Sequence, residues 1–285
     1  MTPHPDTLTA PDDDGRSTLR TERRLAHPPS RVWEALTRPA PLARWFPVEV
    51  SVDPRPGGRI DFTSPGESAP GSTGTVTDAR EPDLLAFTWG EDGLRFEIAP
   101  DGEGSLLTLS HTFGDRYGAA SFAAGWHLRL GALARLLDGA EPPAGNDPGD
   151  ELHEEYLAAF GLDRGTVDTT ADGWRIRLER QLVRPEDEVW AELAAGSTPL
   201  LGGPAPRGFT TGQSPPGRIT GLRPPRLLSY ITTPAGEVRW RLAEGTGHGP
   251  RLILTQTGPA TAPPEPVLAA WEARVAALAA RLRRR

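Results

Sequence analysis

At 285 residues the chain is long enough for two hydrophobic cores, and 31 prolines with 32 glycines favour many short elements over long bundles. It has no cysteine and no lysine, which removes disulfides, thiolate metal sites, cysteine nucleophiles, Schiff-base chemistry and the P-loop lysine together. The net charge of −7 is uneven, with 14 arginines against 27 acidic residues through Asp163 and 17 against 11 from Arg164 onward.

The second-half arginines are scattered and not interleaved with stacking aromatics, so no nucleic-acid partner is expected. Met1 to Gly15 lacks the basic start and apolar run of a signal peptide, and no stretch approaches the roughly 18 apolar residues of a membrane span. A cytoplasmic chain with no membrane span is the expectation. Residues 1–15, rich in Pro, Asp and Thr, read as a disordered tail.

Ordered structure is expected from Ser17. Leu19 to Leu25 reads as a charged strand, and Pro28-Pro29-Ser30 opens a short helix carrying Val32, Trp33 and Leu36, ended by Pro39. Gly74 to Phe87 reads as a strand, a proline turn and a second strand. Leu94, Phe96 and Ile98 then alternate with polar neighbours, and Leu107, Leu109, His111 and Phe113 share one face of the next strand. Phe122, Trp126, Leu130, Leu133 and Leu137 lie along one stripe of a long helix. Gly139 to Gly149 has the composition of a linker, and Asp150 to Phe160 reads as a short helix stopped by Gly161.

The same text then recurs. Glu22 to Leu36 aligns without gaps on Glu179 to Leu193, with seven of fifteen positions identical. Gly74 to Phe87 matches Gly217 to Tyr230, and Leu107 to Thr112 matches Leu252 to Thr257. The helical stripe returns as Val267, Trp271, Val275, Leu278 and Leu282 at a constant offset of 145. An ordered series of matches ending in a whole stripe in register argues for tandem duplication. The copies are unequal: 37 residues separate Leu36 from Gly74 but only 23 separate Leu193 from Gly217, so the second copy should lack a hairpin. Trp45, Phe46, Phe62 and the Gly57-Gly58 turn find no counterparts in it, while Trp89 and His111 become Thr232 and Gln256.

Val32-Trp33-Glu34-Ala35-Leu36, Trp45-Phe46, Pro56-Gly57-Gly58-Arg59, Pro82 to Trp89, Leu107 to Phe113 and Gly125-Trp126-His127-Leu128 resemble the START-like (SRPBCC) superfamily. Within it they resemble the homologues of the activator of the ninety-kilodalton heat-shock-protein ATPase. The Glu151 to Tyr156 helix looks like the tail of that family. The resemblance implies an α+β chain of two tandem helix-grip domains, each a curved antiparallel sheet wrapped around a long C-terminal helix. They are placed at residues 16–163, complete and with a hydrophobic cavity, and 164–285, shortened and degenerate.

It implies a cavity able to hold a small apolar or amphipathic ligand, walled by Trp33, Trp45, Phe46, Phe62 and Trp89 with Phe96, His111, Phe113 and Trp126. Members of the superfamily carry lipids, bind hormones, cyclise polyketides or assist chaperones. The leading expectation is therefore a non-catalytic binding module, with the second domain stabilising the first or meeting a partner. The alternatives are a polyketide cyclase or aromatase with His111 as acid or base, and a co-chaperone acting on a heat-shock ATPase.

For His111 itself, a buried imidazole satisfied by a backbone group is the weightier reading, because no second acid or base is identifiable near it from sequence. Arg59 and Arg95 are candidate carboxylate anchors whose commoner fate is the surface. His127 reads as a surface residue, and His153 sits on a polar helix. No metal site and no cofactor are implied: there is no His-x-x-x-His, and Gly245 to Gly249 joins two strands rather than opening a helix, so it reads as a hairpin turn.

Overall fold

The computed structural model describes residues 6–64, 71–141, 149–232 and 236–284. The chain divides into two compact units, Met1–Gly149 and Asp150–Arg285.

The first unit begins with β1 (Thr7–Leu8) and β2 (Ser17–Leu25), followed by α1 (Pro29–Thr37) and α2 (Pro39–Trp45). A hairpin of β3 (Glu49–Val52) and β4 (Arg59–Thr63) leads to β5 (Ser72–Arg80), β6 (Leu84–Trp89), β7 (Asp92–Asp101) and β8 (Gly104–Phe113), and α3 (Ala119–Leu137) closes the unit. The eight strands form one antiparallel sheet in the order β1-β2-β8-β7-β6-β5-β4-β3. Alternation dictates which side is core: Leu94, Phe96 and Ile98 of β7 are buried between exposed or half-buried neighbours. Onto that face α3 lays Trp126, Leu130, Leu133 and Leu137, all buried.

The second unit comprises α4 (Asp150–Ala159), β9 (Thr166–Thr170), β10 (Gly173–Gln181), α5 (Glu186–Ala194), β11 (Arg218–Arg223), β12 (Leu227–Thr232), β13 (Gly236–Ala243), β14 (Arg251–Pro259) and α6 (Glu265–Arg283). Its sheet runs β11-β12-β13-β14-β10-β9, the order of the first once β3 and β4 are left out. Val267, Trp271, Val275, Leu278 and Leu282 of α6 are all buried in its core. Each sheet has one register shift at the same aligned place, between Val76 and Asp78 and between Ile219 and Gly221.

Four expectations are corrected. Part of the expected tail is ordered, because β1 pairs with β2 and Asp6 is bonded to Thr21 and Arg23; residues 1–5 lie outside the described set. The boundary falls at Gly149 and not near Arg164. Helix α4 belongs to the second unit because Glu154 pairs with Arg180 of β10 and Asp150 accepts a bond of 2.9 Å from Arg184. His153, expected on a polar helix, is fully buried.

The fourth correction concerns the Gly57-Gly58 turn, which has a counterpart in Gly202-Gly203. Gly57 N–H donates to Val76 C=O, Gly58 C=O accepts from Val76 N–H, and Gly58 N–H donates to Arg55 C=O. Gly202, Gly203, Ile219 and Leu200 repeat those three bonds. The first glycine of each pair has φ near +80°, at +79° and +83°, a region only glycine enters freely. The second unit has thus lost the hairpin but kept the turn at its end, which lies as a short strap along β11.

Candidate functional site

The first unit's interior is an aromatic cluster. Trp45 and Phe46 end α2, Phe62 sits on β4, Phe87 and Trp89 on β6, Phe96 on β7 and Trp126 on α3. Phe62 stacks on Trp89 at 4.6 Å with planes 9° apart, Phe46 lies 5.6 Å from Trp89 and 5.8 Å from Trp126, and Phe96 meets Trp45 and Trp126 edge-on. These are the separations at which rings touch favourably. His111 and Phe113 of β8 group with Phe122 beyond Trp126. Trp33 is buried on α1, outside this network of ring contacts.

The expected cavity is closed by these rings. The space left beneath α2 and the β3-β4 hairpin, lined by Leu36, Leu42, Phe46, Val50, Ile60 and Phe87 among others, is about 10 Å³. A single water needs about that much. Arg59 and Arg95, the candidate anchors, are on the surface and paired with Asp61 and Glu97.

His111 has a second polar neighbour after all. The indole N–H of Trp126 donates to Nδ1 at 3.1 Å, so Nδ1 carries no proton, and Nε2–H donates to Asp92 at 3.0 Å. Both ring nitrogens are engaged. Asp92 was legible in principle, since it precedes Leu94, Phe96 and Ile98 in the same two-residue phase and lies diagonally across from His111, which pairs with Leu94.

The second unit repeats the tie without the imidazole: Trp271 N–H donates to Gln256 Oε1 at 2.5 Å, and Ser214 Oγ donates to the same oxygen at 2.7 Å. A group that cannot titrate fills the same acceptor role, so what the two positions share is the joining of helix to sheet. Replacing His111 with Gln should therefore change stability by less than about 1 kcal/mol. Replacing it with Leu strands a buried indole N–H and should cost about 2 kcal/mol in urea unfolding.

The second interior is closed differently. The segment 205–214 dips into it at Ala205, Phe209, Thr210 and Ser214, with Phe209 fully buried and edge-on to Trp240 and Trp190. Phe209 C=O accepts from Tyr230 Oη at 3.0 Å and from Trp240 Nε1 at 3.1 Å. Burial pushes the Tyr230 phenol well above its ordinary range, keeping it a donor.

Residues 26–138 match the family described as Activator of Hsp90 ATPase homolog 1-like protein. The matched stretch lies within the first unit.

Among solved structures, the chain resembles a conserved protein of unknown function, EF2215, from Enterococcus faecalis, at 23% identity over 54% of this chain and 89% of that one, with a TM-score of 0.46. CalU16 from Micromonospora echinospora matches at 21% identity over 55% and 95%, with a TM-score of 0.44. The protein encoded by BPP1335 of Bordetella parapertussis matches at 28% over 55% and 94%, with a TM-score of 0.41. No curated protein matches the chain. Among the described residues no helix is long and apolar enough to cross a membrane, and no group of three or more His, Cys, Asp or Glu side chains is arranged to hold a metal.

Proposed function

We propose that the chain is a non-catalytic binding protein whose first unit takes up a flat apolar or amphipathic small molecule beneath α2 and the β3-β4 hairpin. The second unit serves as a filled scaffold. One contrast carries this reading. The rings of Phe46 and Phe62, which close the first interior, meet each other and Trp89, and the backbone beneath them bonds only within its own helix and strands, whereas the Phe209 carbonyl that closes the second interior is tied by side-chain hydrogen bonds from Tyr230 and Trp240.

Phe46 and Phe62 face each other at 6.4 Å with planes 25° apart, near the outer limit of ring contact. A modest lift of the hairpin with rotation of Phe46 would let a planar ring enter between them. Among the described residues, the indole N–H groups of Trp45 and Trp89 are polar groups nearby, bonded to Ala35 C=O and to Ser72. A mostly apolar wall with few polar groups is what small-molecule sites use. With both nitrogens of His111 engaged, the cyclase alternative has no free base there.

The full chain should bind the neutral fluorescent probe N-phenyl-1-naphthylamine at one per chain. Phe46→Ala should tighten binding by removing the gate, and Val50→Trp should abolish it by filling the space. Absence of probe binding, together with no co-purified small molecule in native mass spectrometry, would sink the proposal.

A further inference from the structure

From Leu193 to Gly236 the chain has no acidic residue, although it carries Arg207, Arg218, Arg223 and Arg226. The aligned stretch of the first unit, Leu36 to Gly93, has nine acids. Only Arg226 is spoken for, by Glu186; among the described residues Arg207, Arg218 and Arg223 have no acidic partner, and all three are exposed. Duplicated sheets of the same order have therefore diverged at one edge, and in one direction of charge.

The same edge exposes apolar side chains. Leu200 and Leu201, at 68% and 67% exposure, form the tip of the turn that ends in Gly202-Gly203, and Ile231 is 43% exposed. In the first unit the turn positions are Arg55 and Pro56, with Arg55 paired to Asp53. Single exposed leucines are ordinary, but two adjacent ones at a turn tip stand where turns are usually polar. Register places these features together: Pro204 bridges Arg218, Gly203 bonds Ile219, and Arg218 pairs directly with Ile231, so Arg218 and Ile231 share the outer face.

We infer that this edge of the second unit docks peripherally on an anionic lipid surface, with Leu200 and Leu201 entering the headgroup layer and Arg207 and Arg218 meeting the phosphates. Charge complementarity selects the occupant: an acid-free chain segment carrying three exposed guanidinium groups with no acidic partner among the described residues, beside an apolar tip, suits anionic headgroups over acyl chains. Glu237, which pairs across from Ile231 and lies 3.8 Å from Arg239, is the acid on that face. Nucleic acid would call for exposed aromatics among the arginines, and an acidic protein surface would give the two leucines nothing to enter.

Flotation of the full chain with vesicles of equimolar phosphatidylcholine and phosphatidylglycerol tests the inference. The chain should float with them, stay behind with phosphatidylcholine alone, and be released as salt is raised. Leu200→Ser with Leu201→Ser should weaken binding about tenfold or more, and Arg218→Ser about fivefold. The leucine side chains are mostly in water already, so far-UV circular dichroism of these variants should match the parent. Failure to float with anionic vesicles, flotation that the leucine pair does not change, or binding to polyglutamate instead of vesicles would each overturn it.

Discussion

Acid should destabilise the second unit through a single side chain, His153. It is fully buried on α4, its ring 4.5 Å from that of His248 on the β13-β14 turn, and neither of its nitrogens has a hydrogen-bond partner among the described residues. Glu154 beside it is committed to Arg180, with Arg283 at 3.9 Å. Burial first, then His248 and Arg180, pushes the imidazole down from 6.5 to about 3.

The sign follows from which state holds the proton. Below pH 6.5 the unfolded chain binds a proton at His153 that the folded chain refuses until about pH 3. Stability is therefore fully present above 6.5, falls as pH drops through that window, and levels off below it. At about 1.4 kcal/mol per pH unit, the loss by pH 4 is on the order of 3 kcal/mol. His153→Leu, which fills similar volume and leaves no polar atom stranded, should match or exceed the parent at pH 7 and flatten the acid limb of urea midpoints. Equal acid sensitivity in parent and variant would rule the imidazole out.

Gly74→Ala and Gly217→Ala should each cost about 3 kcal/mol or more. A Cβ on Gly74 would sit 1.8 Å from the Thr88 carbonyl oxygen, and one on Gly217 1.7 Å from that of Ile231. Both obstacles are backbone of the neighbouring strand, so no side chain can swing away. Loss should appear in urea midpoints and in faster amide exchange along β5-β6 or β11-β12. Gly93→Ala is the control, since its Cβ would meet only Thr112 Cβ at 4.0 Å and should cost well under 1 kcal/mol. A small effect at Gly74 would mean that β5 can shift away from β6.

Those glycines show what a sequence can reveal. Gly74 and Gly217 align because the same carbonyl crowds each, and the stripes of α3 and α6 align because each packs on an inner sheet face. Packing at a fixed period leaves a periodic trace. Gly202-Gly203 escaped notice because its bonds are to backbone and its neighbours Leu200 and Leu201 share nothing chemically with Arg55 and Pro56. His153 and Leu157 are four apart on one face of α4 and both buried, a two-residue trace too short to outweigh four acids on the same helix. The placement of α4 went wrong because its text resembled a family tail, while its partners, Arg180 and Arg184, lie further along the chain. The cavity was implied by kinship; whether rings fill a space or frame it depends on side-chain directions that alternation does not fix.

The strap along β11 has one more consequence. A sheet that discards its outer hairpin lays bare a row of backbone donors and acceptors, the template on which chains add to one another as fibres. Here Gly202, Gly203 and Ala205 cover the start of that row, at Ile219 and Gly217, with their own peptide groups, and Pro204, which has no N–H, lies between them. Shortening the copy therefore left the start of the border covered. The turn that survived the deletion is the piece that keeps the truncated sheet from recruiting another strand.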